Sequence, residues 1–276
     1  MNFRLLYPKF KRKAFTFSYD DGIIHDKTMI EIFNKYDVKA TFNLNYAKSK
    51  EIKYRLNKDG KEIDCSYLDL DKDFHIYDGF EIASHSFTHP HMENIDNAKQ
   101  KEEMLKNKEA LEKLFNKKID AFCYPYGTYN EDTIKLEKEL GITYSRTTRS
   151  TYDFYLPYNF LMWNPTIHHR DKKIFDVINR FKNDDRELSL LYIWGHSYEF
   201  AIDDNFYLLE DIIKKINEDK EAISLSNGEI YDYVNDAAML YYRDNRFVNP
   251  SKSDIYVEVN NQKLLVKSKG VLDYEE

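Results

Sequence analysis

Apolar positions along this chain alternate between two rhythms. Short β-rich runs are followed by stretches whose apolar residues fall three or four apart. Ala14–Ser18 (AFTFS), Ala40–Leu44 (ATFNL), Phe80–Ser84 (FEIAS), Ala121–Tyr124, Ile142–Ser145, Leu188–Trp194 and a short run at Ile223 read as strands. Between them, Asp26 is a candidate cap for a helix carrying Met29, Ile30 and Phe33 on one face. Residues 97–117 carry Met104, Leu105, Leu111, Leu114 and Phe115 at helical spacing, and Asn130 caps a helix that stops at Gly141. Leu208, Leu209, Ile212, Ile213 and Ile216 form a further helical face after a cap at Asp203 or Asp204, and residues 229–241 also read as helix.

Seven such strand–helix units predict an α/β fold, a distorted (β/α) barrel over residues 1–240. In that architecture the loops after the strand C-termini carry the chemistry. Two segments interrupt the rhythm. Residues 48–78 are charged, with Asp59-Gly60 between Tyr54-Arg55-Leu56 and Glu62-Ile63, which predicts an inserted hairpin. Residues 150–170 hold Pro157, Pro165 and many aromatics with no period, and read as a long loop on the active face. Residues 241–276 read as a C-terminal β extension, with Ile255–Val259 and Lys263–Val266 forming a short hairpin about Asn260-Asn261-Gln262.

Composition narrows the classes. The 276 residues suffice for one large domain with an appendage, and 42% hydrophobic with 32% charged residues fits a globular protein. A net charge of -7 without a long basic run argues against nucleic acid as a partner. The longest apolar run, Leu188–Gly195, is far too short to span a bilayer, and Met1–Arg12 has no secretory pattern. The chain as given is therefore expected in the cytoplasm, or outside the cell if a leader was removed. Cys65 and Cys123 make no disulfide framework. The 16% of aromatics, 23 Tyr and 18 Phe, fit core packing and also offer flat faces for sugar rings.

Four segments at predicted strand ends carry candidate chemistry. Ser18-Tyr19-Asp20-Asp21-Gly22 places two carboxylates side by side, and such a pair resists joint ionisation unless a cation or donor neutralises one. A metal on Asp21 leaves Asp20 as a free base; as a bare Asp-Asp-Gly, the segment also fits a solvated turn. His85-Ser86-Phe87-Thr88-His89-Pro90 holds two imidazoles that can converge on one cation. With a carboxylate they make a His-His-Asp set, which suits catalytic zinc and equally some non-haem iron oxygenases. Phe122-Cys123-Tyr124-Pro125-Tyr126-Gly127 turns at a strand end, where backbone N–H groups could stabilise an oxyanion. Trp194-Gly195-His196-Ser197 ends the strongest strand and presents His196 as a proton donor.

In this order the four segments resemble the polysaccharide deacetylase family, the NodB-like carbohydrate esterases. SYDDG, HSFTHP, CYPYG and LLYIWGH carry the resemblance, with Tyr77–Ser84 as a lead-in to the paired histidines, over about residues 12–228. The resemblance implies a NodB-homology barrel with a divalent metal, zinc foremost and cobalt or nickel as alternatives, held by Asp21, His85 and His89. It implies Asp20 as general base, His196 as general acid and the backbone N–H near Tyr126 at the oxyanion. The implied reaction removes N-acetyl groups from an amino-sugar polysaccharide or oligosaccharide, with no nucleic acid and no membrane span involved. Alternatives are an amide or cyclic-imide hydrolase on the same scaffold and a sugar-binding pseudoenzyme.

Two departures stand out. Where the family commonly has an Arg that orients the catalytic Asp, this chain has Cys123; Arg146, on the next strand, is the candidate replacement. Where the family often has an Asp before a Trp to tune the catalytic His, Met162-Trp163-Asn164 has no carboxylate. Trp163 is expected to wall the acetyl pocket, and His168 or His169 to face the substrate.

Overall fold

The structure, a computed structural model, describes residues 3–275. Eight strands form one parallel sheet: β1 (Lys13–Asp21), β2 (Ala40–Leu44), β3 (Glu81–Ser84), β4 (Ala121–Cys123), β5 (Tyr144–Arg146), β6 (Ile167–His168), β7 (Ser189–His196) and β8 (Ala222–Ser224). Their order is β5-β4-β3-β2-β1-β7-β6, with β8 also beside β1. The nine residues of β1 are all buried, polar ones included, and only His196 of β7 is partly exposed, which is why Leu188–Trp194 reads as a near-continuous apolar run. β1 is long enough to pair its first residues with β8 and its last with β2.

The curl is completed by a seam rather than by regular strand pairing. Trp163 N–H donates to Ser145 O at 2.9 Å, Thr147 N–H to Trp163 O at 3.0 Å and Thr166 N–H to Tyr192 O at 2.9 Å, so residues 163–168 bridge β5 to β7. The barrel is therefore distorted, as the alternating pattern and the aperiodic 150–170 segment together imply.

Among the described residues, besides a single turn at Leu70–Asp73, seven helices wrap the sheet: α1 (Asp26–Lys35), α2 (Asn97–Phe115), α3 (Glu131–Glu139), α4 (Ile174–Lys182), α5 (Ser197–Ile202), α6 (Phe206–Asn217) and α7 (Asn227–Ala237). Phe17, Phe33, Phe42, Ile193, Ile212 and Ile216 meet between sheet and helices in the main core. Full burial of each such side chain stabilises by roughly 1.5–3 kcal/mol. Asn130 caps α3 in a reciprocal box with Thr133, as its sequence suggests. Asp26 does not cap α1. It is the first helical residue, fully buried, and accepts a hydrogen bond from Tyr77 Oη at 2.7 Å. Asn205, not Asp203 or Asp204, precedes α6. Sequence reading missed α4, although Ile174, Val177, Ile178 and Phe181 keep the helical period.

Within the inserted region, Tyr54–Leu56 and Glu62–Asp64 pair as an antiparallel hairpin. It is tied to the barrel mouth by Ile24 N–H to Ser66 O (3.0 Å) and Leu68 N–H to Gly22 O (2.9 Å). At the other end, Ile255–Val259 and Gln262–Val266 form the C-terminal hairpin, which takes Arg4–Leu6 as a third strand. Tyr241–Arg243, Arg246–Asn249 and Gly270–Asp273 make a second small sheet. Val257, Val259 and Val266 share a buried cluster with Ala14, Tyr192 and Ile230, so the tail packs on the barrel. Among the described residues, no helix is long and apolar enough to cross a membrane.

Candidate active site

All four segments lie at the C-terminal ends of parallel strands, so the sheet delivers them to one mouth. A cavity of about 510 Å³ opens there, lined in part by Asp20, Asp21, His85, His89, Tyr126 and His196. In extended backbone, Asp20 and Asp21 would point to opposite faces. Asp21 instead adopts φ 83° and Gly22 φ 73°, which swings the second carboxylate into the same cavity. Gly22 tolerates that conformation, and a Cβ there would also come within 3.0 Å of Leu44.

Asp20 is saturated with donors. Arg146 Nη2 lies 2.6 Å from Oδ1 and also reaches Oδ2, and Asn43 Nδ2 donates to Oδ1 at 2.7 Å. Burial opposes the charge on Asp20, but Arg146, His85 and His196 outweigh it and hold the carboxyl well below its usual range. Arg146 therefore reaches, from β5, the place vacated by Cys123 of β4. Its guanidinium lies 4.5 Å over the Trp194 ring, a cation–π contact that fixes its plane.

Asp21 differs: its Oδ1 is buried with no hydrogen-bond partner. That orphaned oxygen faces His85 Nε2 at 3.8 Å and His89 Nε2 at 3.6 Å, and the two imidazole nitrogens are 3.2 Å apart. His85 Nδ1 is 2.8 Å from Cys123 O, so that nitrogen carries the proton and Nε2 presents its lone pair. Burial, the largest influence on each, lowers both histidines to about 4, which leaves them neutral at pH 7. Two neutral imidazoles and an unsatisfied buried carboxylate oxygen fit a divalent cation. The loop between the two histidines is itself clamped: Ser86 Oγ accepts from His89 N–H at 3.0 Å, and Glu103 of α2 accepts from Thr88 N–H at 2.6 Å.

His196 Nε2 lies 3.9 Å from Asp20 Oδ2, across the same space. Its other side is held by Glu199, which sequence reading did not single out. Glu199 Oε2 accepts from His196 N–H at 2.9 Å and lies 3.3 Å from Nδ1. Burial opposes a charge on His196, but the Glu199 hydrogen bond, with Asp21 and Asp20, raises it to about 9. The signal was available: a Glu three residues after a strand-end His, at the start of a helix, is the capping-box spacing.

The sequence expectations for Trp163 and His168 need correction. Trp163 is 1% exposed and boxed edge-on by Tyr144, Phe160 and Tyr192, because the seam directs its ring into the core; Trp194 lines the cavity instead. His168 does not line the cavity either. Its Nδ1 accepts from Arg170 N–H at 3.1 Å, which leaves the proton on Nε2, 3.2 Å from Glu199 Oε2. His169 is buried between Tyr19 and Phe200, against Gly195, where a Cβ would fall 2.0 Å from its Nδ1. Against burial, His168 and His196 thus hold the Glu199 carboxyl well below its usual range, while His169, whose ring nitrogens have no hydrogen-bond partner, lies 3.6 Å from the same Oε2. Tyr126 does reach the cavity rim, half exposed, with φ 58° and its ring stacked on His91 at 3.8 Å.

The polysaccharide deacetylase family model matches residues 8–145, half of the chain, and this stretch contains the paired carboxylates, the paired histidines and the Pro-Tyr-Gly turn. The chain belongs to the polysaccharide deacetylase family. YxkH of Bacillus subtilis, named for the same family, is 25% identical over 137 residues, which are 49% of this chain and 45% of that protein. The chain thus aligns with less than half the length of this relative. Among solved structures, a Mycobacterium smegmatis protein named for the family superposes with a TM-score of 0.61 at 14% identity, covering 84% of this chain and 93% of that one. A mutant of a Bacillus anthracis family 4 carbohydrate esterase pseudoenzyme, with restored enzymatic activity, superposes at 0.55 with 20% identity over 82% and 69% of the two chains. At these identities the likeness is one of fold, and the deacetylase barrel is the fold observed.

Proposed function

We propose that this chain is a metal-dependent hydrolase removing N-acetyl groups from an amino-sugar polysaccharide or oligosaccharide. The observation that carries the reading is the unpartnered, buried Asp21 Oδ1 facing two neutral imidazoles, with Asp20 and His196 on either side of the space in front of them. Asp21, His85 and His89 would hold a divalent cation, with zinc the best match to two nitrogens and one oxygen.

Asp20, pinned by Arg146 and Asn43, stays deprotonated and oriented, and accepts the proton of the attacking water. A carboxylate held so acidic is a weak base, so the transfer needs a water of raised acidity, which a bound divalent cation supplies along with polarisation of the acetyl carbonyl. His196, protonated at neutral pH, delivers its Nε2 proton to the departing amine, without which C–N cleavage would expel a poor leaving group. Glu199 holds the imidazolium in place by occupying Nδ1.

The test is acetate release from N-acetylglucosamine oligomers and peptidoglycan fragments, with chelator and with Zn²⁺, Co²⁺ or Ni²⁺ restored. Release that depends on the cation is expected. Release indifferent to chelator refutes the metal; turnover of cyclic imides with no acetate from any sugar refutes the substrate.

A further inference from the structure

The cavity mouth is lined on one side by the inserted region, where Lys48, Lys53 and, on the first hairpin strand, Arg55 face a site whose floor is acidic. Lys48 is paired with Glu51 at 2.7 Å. Lys53 and Arg55 have no carboxylate partner among the described residues, and Arg55 Nε is buried without a hydrogen-bond acceptor. Leaving a guanidinium nitrogen unsatisfied in a partly buried place costs free energy unless something else satisfies it.

Both cations rest on tyrosine faces. The Arg55 guanidinium lies 4.2 Å over Tyr198, and Lys53 Nζ lies 5.9 Å over Tyr67. Tyr67 and Tyr198 belong to one buried cluster with Ile23 and Cys65, so the hairpin is anchored and the charges are held in register with the barrel. Tyr198 also packs beside His196, ring centroids 5.0 Å apart. A charge over Tyr198 thus lies on the side where the amine departs. Arg in such a fork-and-stack setting suits a planar or tetrahedral oxyanion.

We propose that Lys53 and Arg55 form an anion subsite, and that the preferred substrate is an N-acetylated amino sugar carrying a compact oxyanion, a carboxylate or a phosphate, near the acetamido group. This rests on the deacetylase reading and narrows its substrate class.

The test compares kcat/KM of the metal-loaded full chain on a neutral N-acetylglucosamine oligomer and on matched oligomers bearing a carboxylate ether or a phosphate ester. Wild type is expected to favour one of the anionic oligomers by about ten-fold or more, mainly through KM, as a charge-assisted hydrogen bond contributes. The double variant Lys53→Gln/Arg55→Gln should lose that ratio, Arg55→Lys should keep part of it, and Arg55→Glu should reverse it. Calorimetry of the same oligomers provides a readout free of turnover. Tighter binding of an anionic oligomer that the double variant loses, without acetate release, supports the subsite and sinks only the hydrolase reading. Acetate release with equal kcat/KM on all three oligomers, or a ratio that survives in the double variant, overturns the subsite and leaves the hydrolase reading intact.

Discussion

Asp20 and Asp21 share a strand end and differ in what surrounds their oxygens. Asp20 receives donors from Arg146 and Asn43, whereas Asp21 Oδ1 receives none. Replacement of Asp20 by Asn keeps the shape and removes the proton acceptor, so kcat should fall by roughly 10²–10⁴-fold while bound metal, measured by elemental analysis, stays near one equivalent. Loss of the metal together with activity would mean that Asp20 is a ligand. Glu199 makes a prediction of a different kind. Glu199→Gln removes the anion that supports His196 while burial remains, so the imidazole should titrate well below its present value of about 9. The general acid must be protonated, so the alkaline limb of the kcat–pH profile should move from near pH 9 toward neutrality, with KM little changed. An unmoved limb would take His196 out of the proton transfer.

Neighbouring elements trade roles where the family pattern is broken. β4 supplies Cys123 and the adjacent β5 supplies Arg146, both meeting Asp20. Arg146→Ala leaves Asp20 buried without its ion-pair partner, with Asn43 still donating to it, which should cost about 3–5 kcal/mol in denaturant unfolding, beyond any loss of turnover. The substitution of one strand by the next was legible, because both residues sit at strand C-termini with a predictable direction. The orientation of Trp163 was not, since residues 150–170 carry no period from which a side-chain direction could be read. Glu199 was half legible: the capping-box spacing marks it as the acceptor for His196 N–H, but that spacing does not show that the same oxygen also meets the imidazole Nδ1.

α3 carries a further clamp at the same scale. Glu137 is buried, with Ser145 Oγ donating at 2.6 Å and Tyr124 Oη at 2.6 Å from its other oxygen, while Tyr124 Oη also reaches Leu161 O at 2.7 Å. A protonated Glu137 donating to Tyr124, which donates onward to Leu161, satisfies all three. Burial indeed pushes Glu137 up to about 8. The folded state then keeps a proton that the unfolded chain releases near pH ~4.3. Stability should therefore fall as pH rises between those values. Glu137→Gln, which mimics the neutral acid, should flatten that fall in melting curves taken from pH 5 to 9. An unchanged slope would place the charge on Glu137 in the folded protein.

At the scale of the whole molecule, the barrel mouth is where the sheet concentrates unfavourable electrostatics. Two buried carboxylates and two desolvated imidazoles meet there, and Arg146 offsets only one of the carboxylates. A cation binding to Asp21, His85 and His89 would join the end of β1 to the loop after β3, positions that the unfolded chain does not hold together. Ligand that binds only the folded state stabilises it by about 2.7 kcal/mol at a hundred-fold excess over Kd. For a chain of this size that corresponds to a rise in Tm of roughly 5–10 °C. The rise should grow with the logarithm of free Zn²⁺ above Kd, reverse with chelator and vanish in His89→Ala, whose substitution leaves the strands untouched. A wild-type Tm indifferent to every divalent cation would remove the metal centre and, with it, the reason Asp21 is left without a partner.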